Sequence, residues 1–162
     1  MAKELFITQW FSNEMRIAGE NLIKRLDESG AQVVAAFWLL DSEEKTWELT
    51  IVSPLVKTEG PKNYYKRIND IDESVNPAEE IISLHHIRVA KPNNRIVKAL
   101  KNSVLEDSML ANNRLGQNML GGVYIEDIYL YRMDWKLLED NAKNIINSNS
   151  SLYLKKTPAL AQ

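Results

Sequence analysis

Two adjacent histidines, His85 and His86, are the only imidazoles in the chain and the first candidates for acid–base chemistry. Residues 81–90, which contain them, alternate in polarity as a β-strand does, so the two rings should point to opposite faces and not share a metal ion. Pairing of one ring with Glu126 or Asp127 would give a general base with a pKa near neutrality. The interpretation that we favour is structural, with one histidine buried and hydrogen-bonded and the other exposed.

The neighbouring acids Glu126 and Asp127 belong to a strand-like segment, residues 123–132, and should therefore face opposite ways. Asp127 shares its face with apolar and tyrosine positions, which predicts a buried, paired carboxylate. The hydroxyls of Tyr129 and Tyr131 are candidate partners. We interpret these acids as a structural network, with catalysis as the alternative.

Two other groups of carboxylates resemble metal-binding patterns. Residues 41–45 contain Glu43 and Lys45 at the spacing of metal-dependent nucleases, in which carboxylates hold the ion and a lysine orients water. These residues occupy a polar turn between two predicted strands, where charge is ordinary. Asp70 and Asp72 lie near a predicted helix end without a supporting loop. We therefore predict no metal site.

A basic cluster is the most suggestive binding feature. Lys62, Tyr65, Lys66 and Arg67 fall on one predicted helix, and Lys57 precedes it. On a helical wheel the two helix lysines share a face, the arginine flanks the apolar stripe, and the tyrosine lies at its margin, where a ring can stack on a base. Acidic residues at the end of the same helix cancel much of the charge. A solvated helix face is our first interpretation, and a phosphate-binding surface is the alternative.

The composition excludes several classes of protein. The chain of 162 residues has no cysteine, which rules out disulfides, thiolate nucleophiles and cysteine-bound zinc. Its net charge of −2 gives no overall field that would attract a polyanion. Its apolar runs are much shorter than the ~20 residues that span a bilayer, its N-terminus lacks the apolar core of a signal peptide, and glycine-rich phosphate loops are missing. We expect a single cytoplasmic domain, residues 1–162, that needs no cofactor.

Hydrophobic periodicity predicts the element order α-β-β-α-β-α-β-α, an α/β sandwich (α+β) in which helices pack on a four-stranded mixed sheet. The helices are expected at 13–30, at 61–73, around 96–104 and from Asp134 onward, and the strands at 32–40, 47–52, 81–90 and 123–132. The first two strands should form a β-hairpin. Residues 106–122 lack a clean period and are predicted to be a loop, and residues 148–162 a frayed tail.

Two segments, "VVAAFWLLDSEEKTWELTIVSPLVKTEGPKNYYKRI" and "GGVYIEDIYLYRM", resemble a family of small bacterial proteins. The shared features are an Ala-Ala-Phe-Trp strand, a Trp-x-Leu strand that ends in Ser-Pro, and a Gly-Pro helix start. The resemblance covers about residues 13–132. It implies a recurring scaffold and transfers no site residue, because that family has no established activity.

The function that these features favour is a binding or adaptor domain without its own catalytic centre, acting on a protein partner or on a second copy of itself. Aromatic residues that the core does not need would supply the surface. They are Trp10, Phe11, Trp47, Tyr65 and Tyr153. The alternative is a nucleic-acid-associated protein that uses the basic helix, with a divalent-metal-dependent enzyme as one form of it. A small-molecule site covered by residues 106–122 is a third interpretation.

Overall fold

A mixed β-sheet with helices on both faces organises the part of the chain that the structure, a computed structural model, describes: residues 2–106, 113–134 and 136. The strands are β1 (Lys3–Glu4), β2 (Ala35–Leu40), β3 (Trp47–Val52), β4 (Glu80–Ile81), β5 (Ile87–Ala90), β6 (Arg114–Leu120) and β7 (Val123–Met133). The helices are α1 (Asn13–Glu28), α2 (Leu55–Thr58), α3 (Pro61–Glu73) and α4 (Arg95–Glu106).

The main sheet has the strand order β5-β3-β2-β7-β6. Strand β5 runs parallel to β3, and the other neighbours are antiparallel. Strands β1 and β4 form a separate, parallel pair. The predicted α+β class is confirmed, and the sheet contains one strand more than the sequence predicted.

Local signals account for the elements that were predicted well. Helix α1 begins after Ser12, whose side chain accepts a hydrogen bond from the Met15 amide at 3.2 Å. Helix α3 begins at Pro61, directly after Gly60, which adopts a φ of +89°. The β2–β3 hairpin pairs Ala35 with Val52 and is antiparallel, as expected. Both helices and the hairpin are therefore confirmed.

The predicted strand at 81–90 is wrong as a single element. Residues Glu80–Ile81 pair with β1, Leu84–His86 form a 3-10 turn, and only Ile87–Ala90 joins the main sheet. The side chain of Ser83 accepts the amide of His85 and begins the turn. The polarity alternation in this segment therefore reflects composition and not strand geometry.

The predicted loop at 106–122 contains a strand, so this prediction is wrong for residues 114–120. Strand β6 pairs with β7 across a turn at Gly121 and Gly122, whose φ angles of +53° and +79° suit a two-residue hairpin. Gln117 has a φ of +48°, and the buried positions Leu115 and Leu120 are five residues apart, so no alternation of period two is visible. Residues 107–112, the predicted last helix beyond residue 136 and the predicted tail lie outside the described residues.

The sheet carries an apolar core on each face. Phe37 and Trp38 are neighbours on β2, fully buried, and point to opposite sides, as expected for a central strand. The Trp38 side packs under α1 and α3, and the Phe37 side under α4. Within the described ranges, no helix is long and apolar enough to cross a membrane.

Candidate functional site

The predicted histidine–carboxylate pair does not form. His86 lies directly before β5, and β5 is separated from β7 by β3 and β2, so three strand spacings of about 4.8 Å lie between them. The Nδ1 atom of His86 is 3.2 Å from the carbonyl oxygen of Trp47, and His85 is exposed. Glu126 instead binds Lys45, with 3.1 Å between Nζ and Oε1. That acid–base hypothesis is wrong on geometric grounds.

Asp127 is paired, as predicted, but it is half-buried and not buried, and its partner is an arginine and not a tyrosine hydroxyl. The Arg114 guanidinium donates to both carboxylate oxygens, at 3.1 and 2.6 Å. The same guanidinium lies over the rings of Phe11 and Trp47, 5.2 and 5.8 Å from their centroids. Phe11 in turn stacks on Tyr129 at 4.8 Å. These contacts make Asp127 part of an aromatic and ionic network that holds the residues before α1 against the sheet.

The acids of the β2–β3 turn shape that turn. One carboxylate oxygen of Asp41 accepts the amides of Glu43 and Glu44, at 2.8 and 2.7 Å. Lys45 is bound to Glu126. Among the described residues, no three His, Asp or Glu side chains are grouped so that they could hold a metal ion.

The basic cluster divides into engaged and free side chains. Arg67 donates to both carboxylate oxygens of Glu59, at 2.9 and 3.0 Å. The Tyr65 hydroxyl donates to a carbonyl of β5 and accepts an amide of β5, each at 3.2 Å, so its ring packs at the sheet edge. Lys57, Lys62 and Lys66 are exposed. The role of these lysines in binding stays a prediction. Tyr65 and Arg67, the other two helix residues of the predicted surface, are engaged within the fold.

A groove of about 420 Å³ lies between α1 and β7 and is named here the α1–β7 groove. Its wall residues are Arg16, Glu20, Ile23, Lys24, Asp27, Asn113, Tyr129, Tyr131 and Arg132. Most of its charges are paired within the groove. Arg132 donates to both oxygens of Asp27 at 2.8 and 2.6 Å, and Arg16 approaches Glu20 at 3.3 Å.

Tyr131 is the extra residue of a β-bulge in β7, where the register with β2 shifts. The bulge directs its side chain at α1, where the hydroxyl accepts a hydrogen bond from Trp38 Nε1 at 2.9 Å and donates to the Arg16 carbonyl at 2.7 Å. Burial raises the pKa of this hydroxyl, so it stays protonated and can act as that donor. One hydroxyl thus joins the sheet to the first helix.

Tyr131→Phe should therefore destabilise the protein by about 1–3 kcal/mol, because it leaves the Trp38 indole N–H without its acceptor. Urea unfolding followed by tryptophan fluorescence measures the change. Tyr124→Phe, at an exposed position on the same strand, is the control and should be neutral. Equal effects of the two changes would contradict the role of the bulge.

The segment of residues 5–11, between β1 and α1, carries two exposed aromatic side chains. Phe6 and Trp10 are 81% and 72% exposed. The backbone beneath them is held, because the Leu5 amide donates to the Ile81 carbonyl at 2.7 Å and Trp47 Nε1 donates to the Gln9 carbonyl at 2.9 Å.

The aromatic residues predicted to lie outside the core behave differently from one another. Trp10 is exposed, as predicted, and Phe11 and Tyr65 pack against the core from its edge. The prediction is wrong for Trp47, which is buried in the core. Tyr153 lies outside the described residues. Phe6 was missed, because a single phenylalanine in an alternating segment looks like a core residue.

A second cavity, of about 300 Å³, lies beside β4, the end of α3 and the 3-10 turn, and is named here the acidic pocket. Its wall residues are Ala2, Glu4, Asn69, Asp72, Glu73, Ile81, Ile82, Ser83, Leu84 and His85. His85 and Asp72 both line it, a pairing that their spacing in the sequence did not predict.

Asp72 is the most unusual side chain of the acidic pocket, since it is only 9% exposed and no hydrogen bond joins its carboxylate to another of the described residues. Burial raises its pKa to about 6, and the charge of Arg25 opposes this. A signal for this burial was present in the sequence. Tyr64, Ile68 and Asp72 are spaced by four residues, which places all three on the inner side of α3.

Comparison of the chain with protein-family models, curated proteins and solved structures finds no significant match. The resemblance to a family of small bacterial proteins stays a prediction, and the function has to be argued from the residues of this chain.

Proposed function

We propose that the chain is a protein-binding domain without its own catalytic centre, and that it pairs with a second copy of itself through the segment of residues 5–11. The observation that carries this proposal is the exposure of Phe6 and Trp10 on a backbone held from beneath. Burying one such side chain yields about 1.5–3 kcal/mol. Tryptophan is also enriched among the residues that dominate binding at protein interfaces.

The fixed backbone of this segment lowers the entropy cost of association. Leu5 is buried before Phe6, and Phe11 stacks on Tyr129 directly after Trp10. Both exposed rings are therefore presented by anchored chain, and only their side-chain rotations have to be ordered when a partner binds.

This surface fits a second copy of the chain, because Trp10 and the α1–β7 groove lie close together on the same molecule. Phe11, which follows Trp10, stacks on a tyrosine of the groove wall. An aromatic anchor beside a concave surface allows a two-fold arrangement in which each copy inserts Trp10 into the groove of the other. The guanidinium groups of Arg16 and Arg132 at the groove wall suit the face of an indole ring.

Sedimentation velocity over a wide concentration range tests this proposal. The wild-type chain should form a dimer, and Trp10→Ser should weaken dimerisation at least about tenfold, equivalent to ~1.4 kcal/mol. Tyr124→Ser is the matched control, because this aromatic side chain is exposed on β7 and lies outside residues 5–11. A wild-type chain that stays monomeric at every concentration would contradict self-pairing, as would a dimer that Tyr124→Ser weakens and Trp10→Ser does not.

A further inference from the structure

We propose that the acidic pocket binds a small organic cation, whose ammonium group pairs with the Asp72 carboxylate and whose apolar part lies against Ile81, Ile82 and Leu84. This site is independent of the proposed protein-binding function. It would give the chain a ligand of its own.

The first argument is the missing partner of a buried carboxylate. Removing a charged group from water is costly unless it is paired, and buried carboxylates in proteins are normally bound by donors. Asp72 is only 9% exposed as a residue, and its carboxylate accepts no hydrogen bond within the described ranges. Its oxygens are not among the fully buried atoms that lack a partner, so they keep contact with solvent. Asp72 faces a cavity. A bound ammonium group would supply the missing donor and the compensating charge.

The second argument is the sign of the charge around the cavity. Glu4 and Glu73 also line it, His85 lies at its wall, and no lysine or arginine is among the described residues that form it. Arg25, the base whose charge acts on Asp72, is hydrogen-bonded to Glu79. The pocket therefore favours cations and disfavours carboxylates and phosphates.

The third argument is size. A volume of about 300 Å³ corresponds to roughly ten water molecules at ~30 Å³ each, which suits a ligand of roughly ten non-hydrogen atoms. Its apolar wall favours a compact hydrocarbon chain or ring over a highly hydroxylated molecule. A metal ion fits less well, because no three acidic or histidine side chains in the described part of the chain are grouped to hold one.

Isothermal titration calorimetry with phenethylamine tests the proposal. Two analogues probe the effect of charge: 2-phenylethanol, the matched alcohol, and 3-phenylpropionate, the matched carboxylate. We expect the wild-type chain to bind the amine at least about tenfold more tightly than either analogue. Asp72→Asn, which keeps the shape and removes the charge, should weaken amine binding at least about tenfold. Asp70→Asn, the same change on an exposed position of α3, should leave it unchanged.

The location of binding is measured on the same samples by amide shifts in NMR, which also report whether each variant is folded. Shifts at Ser83 and His85 on addition of the amine support the proposal. It is overturned if the amine binds Asp72→Asn as tightly as wild type, if the carboxylate binds better than the amine, if no probe binds, or if Mg²⁺ or Zn²⁺ displaces the amine from the pocket.

Discussion

Gly19→Ala in α1 is expected to destabilise the protein by about 2–3 kcal/mol, although glycine-to-alanine changes inside helices usually stabilise by about 0.5–1 kcal/mol. A Cβ atom at this position would lie 2.3 Å from the hydroxyl oxygen of Tyr131 and 2.9 Å from the indole nitrogen of Trp38. Both side chains are fixed by their mutual hydrogen bond and cannot easily move away. Steric overlap therefore outweighs helix propensity, and the sign of the effect reverses.

Thermal unfolding followed by circular dichroism measures this effect. Glu20→Ala, on the exposed side of the same helix, is the control and should change stability by less than about 0.5 kcal/mol. A Gly19→Ala variant with an unchanged or raised melting temperature would show that α1 shifts away from the sheet at little cost, and would contradict the close approach at Tyr131.

The second large effect is a pH dependence that originates at Asp72. Its pKa is raised to about 6 by burial, above the ~4 of an unfolded aspartate. Between these values the folded protein binds more protons than the unfolded chain, so the free energy of unfolding falls as pH rises from about 4 to 6 and stays lowered above that. Because solvent reaches the carboxylate through the pocket, we expect a loss of about 1–2 kcal/mol, below the ~2.7 that a shift of two pKa units would give.

Asp72→Asn removes this contribution and should therefore be more stable than wild type by about 1–2 kcal/mol at pH 7.5, and similar to it at pH 4. Urea titrations at several pH values measure the difference curve. Four other charged or titratable residues lie around Asp72 and are common to both proteins: Glu4, Glu73, His85 and Arg25. Their contributions cancel in the difference curve, which therefore reports Asp72. A variant less stable than wild type at pH 7.5 would mean that the carboxylate has a favourable partner in the folded chain.

The parts of the fold that were predictable are those fixed by neighbours in sequence. A serine cap fixes the start of α1, a Gly-Pro step fixes that of α3, and a polar turn joins two apolar runs into a hairpin. Strand β6 was missed because Gln117 interrupts its alternation. The turn at His85 was missed because a single serine hydroxyl decides it.

The candidate sites were less predictable, because they depend on strand order. Asp127 was correctly predicted to be paired, but Arg114 lay in a segment predicted to be a loop and was not considered as its partner. Because β5 pairs with β3, His86 lies three strand spacings away from Glu126 on β7. No local pattern encodes that distance. The burial of Asp72 was readable from helical spacing, but the cavity beside it also depends on the pairing of β1 with β4.

The hydroxyl of Tyr65 also determines in which direction the main sheet can grow. Because it occupies the outward-facing carbonyl of Ile87 and amide of Val89, it takes the place of a further strand beside β5. At the opposite edge, no strand in the described part of the chain pairs with the outer side of β6. Strand addition to this sheet, whether by a misfolded neighbour or by an extended peptide, is thereby confined to one edge, so that a linear aggregate could not propagate through both edges of the same molecule.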